Sequence, residues 1–289
     1  MSFRFRIHLP ACIFFSFLGS CAGDFEVNLP PYDSKLVIDG AIEEGQFPVV
    51  YLTMSSGYYE SVDSVSLLEL IVPTARVSVS DGDEQEVLTL FRNTDRYPPF
   101  FYKGTDLRGE AGKTYTLEVV SRGETYTSIT TIPEAIDLDS IWTQKVENSD
   151  SLYQVWLSFI DPSEQENFYR IFSKVEQYQS EFVPVYQSVV GDRFFDESDI
   201  SFFILKGNDS FTDVKNDFYF RKGDFVAIKF CTLDSDHFDF WRTLERELYL
   251  TGNPFGSSGN NISSNVYGTA PVLGVWGGYG VSRHFIEVK

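Results

Sequence analysis

Short runs of alternating apolar and polar residues recur along the chain from about residue 35 onward. A period of two is typical of β-strands that bury one face. Seven such runs predict strands at residues 35–42, 47–55, 74–80, 86–92, 100–105, 113–121 and 124–132. Asp81-Gly82 and Arg122-Gly123 are typical of hairpin turns. The pattern predicts an immunoglobulin-like β-sandwich over residues 35–133.

A second series of runs follows a predicted linker at residues 134–139. It predicts strands at residues 141–146, 152–160, 168–176, 181–189, 200–205, 218–220, 224–233, 272–277 and 280–288. Because parallel strands need long crossovers, the close spacing predicts an antiparallel barrel or sandwich over residues 140–289. Gly277-Gly278-Tyr279-Gly280 is interpreted as a tight connection between the last two strands.

An apolar stripe at steps of three and four residues predicts one helix over about residues 236–250. The stripe consists of Phe238, Trp241, Leu244 and Leu248. Acidic side chains near its start suit the positive end of the helix dipole, and a cation site is the alternative interpretation. They are Asp234, Asp236 and Asp239. The predicted fold class is therefore all-β, mainly antiparallel, with a single helix in the C-terminal half.

The N-terminus combines a basic start, an apolar stretch and small residues, which together indicate a signal peptide over residues 1–20. The apolar stretch is too short for a permanent membrane-spanning helix. Leu18-Gly19-Ser20-Cys21 is similar to the lipobox of bacterial lipoproteins, in which the cysteine is acylated. We expect Cys21 to hold the protein to membrane lipid through a leader at residues 21–34. An ordinary signal peptide followed by an unrelated cysteine is the alternative.

The chain is strongly acidic, with a formal charge of −19 that becomes more negative once the signal peptide with Arg4 and Arg6 is removed. Nucleic acid binding depends on clustered cations, so we exclude nucleic acid as a partner. Aromatic residues make up 16% of the chain, which favours a β protein over a helical bundle. Cys231 lies in an alternating run and is interpreted as a small packed side chain.

Sequence motifs of known catalytic and cofactor sites are not found. His237 and His284 lack partners at the spacing of zinc ligands, and no G-x-S-x-G nucleophile motif is present. Asp81 to Glu84 lack the rest of a calcium loop. We therefore predict no catalytic residue, no metal and no cofactor. A carboxylate pair that hydrolyses glycans stays open, because that chemistry needs only two acids at the right separation.

Aromatic residues gather in or beside predicted loops. They are Tyr58, Tyr59, Tyr97, Phe100, Phe101, Phe194 and Phe195. Apolar patches on loops mark ligand or partner sites when they are exposed, so these residues form a candidate binding surface. The alternative is that they cover the ends of the two predicted domains.

Six segments carry a further pattern. They are residues 36–40 (LVIDG), 49–53 (VVYLT), 112–117 (GKTYTL), 253–255 (NPF), 264–268 (SNVYG) and 272–279 (VLGVWGGY). Together they resemble a family of uncharacterised Bacteroidetes outer-membrane lipoproteins, domain of unknown function 4249. The sequence departs from the family's usual pattern at residues 266–269, where an isoleucine and paired glycines are more typical. The resemblance implies a surface accessory of a TonB-dependent receptor and carries over no catalytic residue.

These observations lead to a hypothesis of a non-enzymatic lipoprotein at the outer membrane. It would face the cell surface and help a TonB-dependent receptor to take up a nutrient. Asp24 and Glu26 are similar to the acidic export signal of surface lipoproteins, which favours that location. A secreted glycan hydrolase is one alternative, and an adhesin or envelope assembly factor is another.

Overall fold

Side chains alternate between buried and outward positions along many strands, as the sequence predicts. Along Thr114–Ser121, for example, Tyr115, Leu117 and Val119 are buried and the intervening residues are more exposed. The fold is seen in a computed structural model, in which Ser34–Lys289 form one compact unit. The structure describes residues 32–56, 64–94, 96–162, 166–191, 199–207, 218–250 and 262–289.

Strands account for most of the regular structure. The first half contains β1 (Leu36–Glu43), β2 (Val49–Met54), α1 (Ser64–Glu69), β3 (Ala75–Ser80), β4 (Gln85–Val87), β5 (Thr89–Arg92), β6 (Phe100–Lys103), β7 (Thr114–Ser121) and β8 (Glu124–Thr131). The second half contains β9 (Ser140–Lys145), β10 (Leu152–Ile160), β11 (Phe168–Val175), β12 (Val183–Gly191), β13 (Asp199–Ile204), β14 (Phe220–Arg221), β15 (Phe225–Leu233), α2 (Ser235–Leu250), β16 (Tyr267–Gly268) and β17 (Val272–Glu287).

The described strands form three sheets. The largest has the order β12-β11-β15-β17-β1-β2-β6-β5, the second contains β13-β10-β14 with β9 also paired to β10, and the third has the order β16-β8-β7-β3-β4. No sheet closes on itself in the part of the chain that the structure describes. The mainly antiparallel all-β fold class is therefore confirmed, with open sheets in the C-terminal half.

The eight-stranded sheet takes strands from both predicted domains. One apolar core lies mainly among residues of the first half, such as Ile38 and Leu117, and a second lies among residues of the C-terminal half, such as Phe159 and Phe230. A third, smaller cluster beneath α2 includes Phe238 and Tyr279, and the eight-stranded sheet contributes residues to all three. The exact domain boundaries stay a prediction.

Strand β17 corrects the predicted C-terminal turn. Residues 272–287 form one continuous strand, whose first half runs parallel to β1 and whose second half runs antiparallel to β15. The glycines that suggested a turn serve close packing instead. A Cβ on Gly277 would lie 2.0 Å from the ring of His237, and one on Gly278 would lie 2.9 Å from the backbone of Ile132.

Two other predictions need correction. The run at residues 86–92 forms two strands, because β4 pairs with β3 whereas β5 pairs with β6 in another sheet. The single predicted helix is present as α2, but α1 is a second helix in the described chain. With only six residues, α1 is too short to show a helical period.

The apolar stripe predicted for α2 is only partly buried. Phe238 is 7% exposed, whereas Leu248 at the other end of the stripe is 63% exposed. His237, which the periodicity did not include, is fully buried against β17. The start of the helix therefore anchors it to the sheet, and this end carries the polar groups described next.

Candidate functional site

The structure divides the predicted aromatic surface. Cys21, Tyr58, Tyr59, Phe194 and Phe195 lie outside the described residues. Tyr97 and Phe100 line one cavity, whereas Phe101 lies with Tyr51 and Phe91 on the sheet. Neighbouring residues of a strand point to opposite faces, which explains why Phe100 and Phe101 separate. The predicted set is therefore not a single surface.

The cavity beside α1, which we call the arginine cavity, has a volume of about 450 Å³. Its lining consists of Leu68, Ile71, Pro73, Arg92, Thr94, Arg96, Tyr97, Pro99 and Phe100. Small-molecule sites commonly have volumes of about 300–1,000 Å³ and a mostly apolar lining with a few polar groups. The size and composition of the arginine cavity fall within that description.

Two tyrosine hydroxyls hold the walls of the arginine cavity in place. The Tyr97 hydroxyl donates a hydrogen bond to the carbonyl of Leu67 at 2.8 Å, which ties the cavity to α1. The Tyr102 hydroxyl donates to the carbonyl of Val72 at 3.2 Å and accepts from the backbone N–H of Ala75 at 2.9 Å. Burial raises the pKa of both phenols, so both remain neutral donors at physiological pH.

The two arginines of the cavity lie against aromatic rings. The Arg92 guanidinium is 5.7 Å from the centroid of Phe100, the residue that faces it across the β5–β6 pair. The Arg96 guanidinium is 4.7 Å from the centroid of Tyr51, and its Nη1 is 3.0 Å from a carboxylate oxygen of Glu181. Stacking and ion pairing restrict these side chains before any ligand binds.

Arg96 also connects the cavity to a row of side chains on the eight-stranded sheet. Asp39 of β1 faces Tyr51 of β2, and the rings of Tyr51 and Phe101 are 5.7 Å apart. Phe91 of β5 follows, 6.0 Å from Phe101. The row thus places a carboxylate at one end and the exposed ring of Phe91 at the other.

The Asp39 side chain is exposed to solvent on one side, although protein lies around its other sides. The surrounding protein raises the pKa of its carboxyl group, and the positive charges of Arg170 and Arg96 act in the opposite direction with a smaller effect. Burial is also the largest cause of the rise in the Tyr51 pKa to about 12. A carboxyl group with a raised pKa takes up a proton more readily than an ordinary aspartate.

Arg170 is the centre of a buried polar cluster that the sequence pattern does not predict. Its Nη1 donates to the Tyr279 hydroxyl at 2.8 Å, and its Nε donates to the Ser188 hydroxyl at 3.3 Å. The guanidinium also lies 3.4 Å from the centroid of Trp241 on α2. The Ser188 hydroxyl donates to Glu245 at 2.5 Å, so α2 is bound to β11, β12 and β17 through this cluster.

A second ionic group lies next to this cluster. Glu43 of β1 accepts from Lys229 at 2.5 Å and from Arg283 at 3.1 Å. Lys229 is also 4.4 Å from the ring centroid of Phe172. These contacts join β1 to β15 and β17 from the two halves of the chain. Their clearest physical role is to fix the neighbouring strands.

Asp234 caps the start of α2, as the capping interpretation predicts, whereas Asp239 forms an ion pair within the helix. Asp234 accepts a hydrogen bond from the backbone N–H of His237 at 2.8 Å and from the Thr130 hydroxyl at 2.6 Å. Asp239 is 2.7 Å from Arg242 in an ion pair. Among the described residues, no three His, Cys, Asp or Glu side chains converge as metal ligands do.

A second cavity, of about 420 Å³, lies on the side of α2 near β11. Its lining consists of Glu166, Phe168, Gly191, Ser235, Phe238, Asp239 and Arg242. Phe168 and Phe238 stack with their centroids 4.6 Å apart. Two carboxyl groups, those of Glu166 and Asp239, therefore share one cavity.

The free thiol of Cys231 is fully buried. Burial is the largest cause of a rise in its pKa to about 12. A protonated, enclosed thiol is a poor nucleophile, which agrees with its interpretation as a packed side chain.

Neither described helix has the length and apolarity needed to cross a bilayer.

Sequence reasoning missed Arg92, Arg96 and Arg170. Arg96 and Arg170 acquire their surroundings from residues distant in sequence, such as Glu181 for Arg96 and Tyr279 for Arg170, whereas Arg92 stacks on the nearby Phe100. The one local signal was the pairing of basic and aromatic residues between positions 91 and 101. That signal could have directed attention to the arginines beside the predicted aromatic surface.

Comparison with known proteins gives a family for the chain. No curated protein matches it. A family model described as a domain of unknown function, DUF4249, matches residues 23–284, which is most of the chain. The segments that suggested the resemblance lie within this range. The chain belongs to the DUF4249 family.

Proposed function

We propose that the protein is a lipid-anchored accessory protein of the outer membrane, which binds a ligand for a TonB-dependent receptor during nutrient uptake. It faces the cell surface and acts without catalysis. The N-terminal pattern ending at Cys21 supports the anchor, and the resemblance to Bacteroidetes lipoproteins supports the location and the partner. The folded part binds the ligand, and the receptor transports it.

The observation that carries the binding role is the arginine cavity. Tyr97 and Phe100 were candidates for a binding surface from sequence alone, and both line this cavity. If these side chains only covered the end of a sandwich, they would fill the space there and leave no cavity. Restricted arginines beside apolar walls also provide the few polar groups that orient a ligand.

The receptor partnership is tested by purification of the tagged full-length lipoprotein from detergent-solubilised outer membranes of its source. We expect a TonB-dependent receptor to copurify with it. Recovery of other envelope proteins without a receptor would favour the adhesin or assembly hypothesis. Recovery of no transporter would refute the accessory role.

The anchor is tested with Cys21→Ala. We expect this variant to lose acylation and to leave the membrane fraction, because the thiol that receives the lipid is absent. Cys231→Ala is the matched control, since that thiol is buried in the fold. Acylated, membrane-bound Cys21→Ala protein would refute the proposed anchor.

A glycan hydrolase is the second candidate function, and the cavity shared by Glu166 and Asp239 is the observation that favours it. Glycoside hydrolysis uses two carboxyl groups on either side of the scissile bond. The test is release of reducing ends from a panel of polysaccharides by the full chain. Activity that Glu166→Gln abolishes and the control variant Glu118→Gln, outside the cavity, retains would establish the hydrolase and refute the non-catalytic proposal.

A further inference from the structure

The arginine cavity combines positive charge with an apolar surface. Two of its lining residues, Arg92 and Arg96, are cationic, and none of the described lining residues is acidic. Most of the other lining residues are apolar or aromatic. They are Leu68, Ile71, Pro73, Tyr97, Pro99 and Phe100. In a chain with a formal charge of −19, such a local excess of positive charge is an exception.

Arg92 keeps its charge available. Its side chain is exposed, and its only interaction in the described part of the chain is the stacking on Phe100. No described carboxylate lies within ion-pair distance of it. Stacking on a ring restricts the guanidinium without neutralising it or occupying its five N–H donors. An anion that enters the cavity therefore meets an oriented donor.

Arg96 has one donor without an acceptor. Its Nη1 is occupied by Glu181, but its Nε is buried and has no hydrogen-bond partner among the described residues. A buried N–H group without an acceptor is unfavourable, and native proteins seldom keep one without a reason. The Arg96 side chain is still 31% exposed, so a carboxylate in the cavity can bind the N–H groups of its guanidinium that Glu181 does not occupy.

From these features we infer that the arginine cavity binds a small carboxylate with an apolar body. The carboxylate accepts hydrogen bonds from Arg92 and Arg96, and the body packs against the walls next to α1. A volume of about 450 Å³ holds about 15 groups the size of a water molecule, which suits an acid of about ten non-hydrogen atoms with space to spare. The inference rests on the proposed function only in taking this cavity as the ligand site.

Octanoate tests this inference because it has a carboxylate and an apolar body of suitable size. The full-length lipoprotein in lipid nanodiscs is titrated calorimetrically, and the heat measured with empty nanodiscs is subtracted. Octanol tests the body without the charge, and acetate tests the charge without the body. We expect one octanoate per chain, with octanol and acetate at least about tenfold weaker, because charge-assisted hydrogen bonds and apolar burial both contribute.

Arginine variants localise the binding. We expect Arg92→Gln and Arg96→Gln each to weaken octanoate binding by at least about tenfold, since each removes a charged donor. Arg108→Gln should bind like the wild type, because Arg108 stacks on Phe47, 3.9 Å from its centroid, and does not line the cavity. The exposed position of Arg92 allows its removal without loss of folding, which a thermal melt verifies.

Three results would overturn the inference. They are absence of octanoate binding, equal binding of octanoate and octanol, and unchanged affinity in folded Arg92→Gln. The receptor purification separates this inference from the proposed function. If the receptor copurifies but octanoate does not bind, the ligand class is wrong and the accessory role stands. If octanoate binds as expected and no receptor copurifies, the cavity assignment stands and the accessory role is refuted.

Discussion

Acid should destabilise the protein through His237, whose ring is fully buried between α2 and β17. Its Nδ1 lies 3.4 Å from the carbonyl of Gly278, and its Nε2 has no partner among the described residues. Burial is the main cause of a fall in the His237 pKa from 6.5 to about 3, and the nearby charge of Arg170 adds to it. The folded protein therefore keeps this imidazole neutral well below pH 6.

The sign of the effect follows from proton binding. As the pH falls below about 6.5, the unfolded chain protonates His237 while the folded protein does not, so the unfolded state is favoured. The loss of stability continues until the pH reaches about 3. Below about pH 6.5 the free energy of unfolding falls by about 1.4 kcal/mol for each pH unit. Between pH 8 and pH 5 we therefore expect it to fall by about 2 kcal/mol.

Urea unfolding followed by tryptophan fluorescence at pH 8 and pH 5 measures this effect. The loss is compared between the wild type and His237→Asn, whose amide can still donate to the Gly278 carbonyl. Other groups with raised pKa values, such as Asp39 and Asp234, titrate in both proteins and cancel in the difference. His284→Asn is the control for removing a histidine elsewhere. If the free energy of unfolding falls equally between pH 8 and pH 5 in the wild type and His237→Asn, the explanation is refuted.

Three further predictions concern the same region. Gly277→Ala should lower the free energy of unfolding by about 1–3 kcal/mol in urea titrations, because the new methyl group overlaps the ring of His237, and an unchanged midpoint would contradict this packing. Asp234→Ala should cost about 1–2 kcal/mol in the same assay through loss of the helix cap, whereas the helix-surface control Asp236→Ala should have a smaller effect. Cys231 should react with a thiol reagent only after denaturation, and fast reaction of the native protein would show that this thiol is accessible.

Much of the fold is predictable because half-buried strands leave a local signal. Hairpins such as β7–β8 bury every second residue, so their alternation and turn residues appear directly in the sequence. Strand β17 lacks this signal, since the stretch from Gly274 to Gly280 is buried on both faces by α2 and by residues of the first half. Glycines in that setting look like turn residues, although they permit close contact with rings and backbone.

The candidate site was predictable only in part, for a related reason. The aromatic composition around residue 100 pointed to Tyr97 and Phe100, which line the arginine cavity. The chemistry of that cavity depends on Arg96, which is fixed by a ring on β2 and by a carboxylate 85 positions further along the chain. Pairings of this kind arise from strand order, which local patterns do not specify.

Among the described residues, the segments that carry the family resemblance hold the sheet together more than they form the cavity. Asn265 binds both backbone groups of Trp276, at 2.8 and 3.0 Å, and the Trp276 indole N–H donates to the carbonyl of Tyr115 at 3.0 Å. Gly277 then leaves room for His237, which fixes α2 to the same strand. None of these residues lines the arginine cavity. The framework and the proposed ligand site are therefore formed by different residues, so substitutions that alter the proposed ligand specificity should be sought between positions 68 and 100.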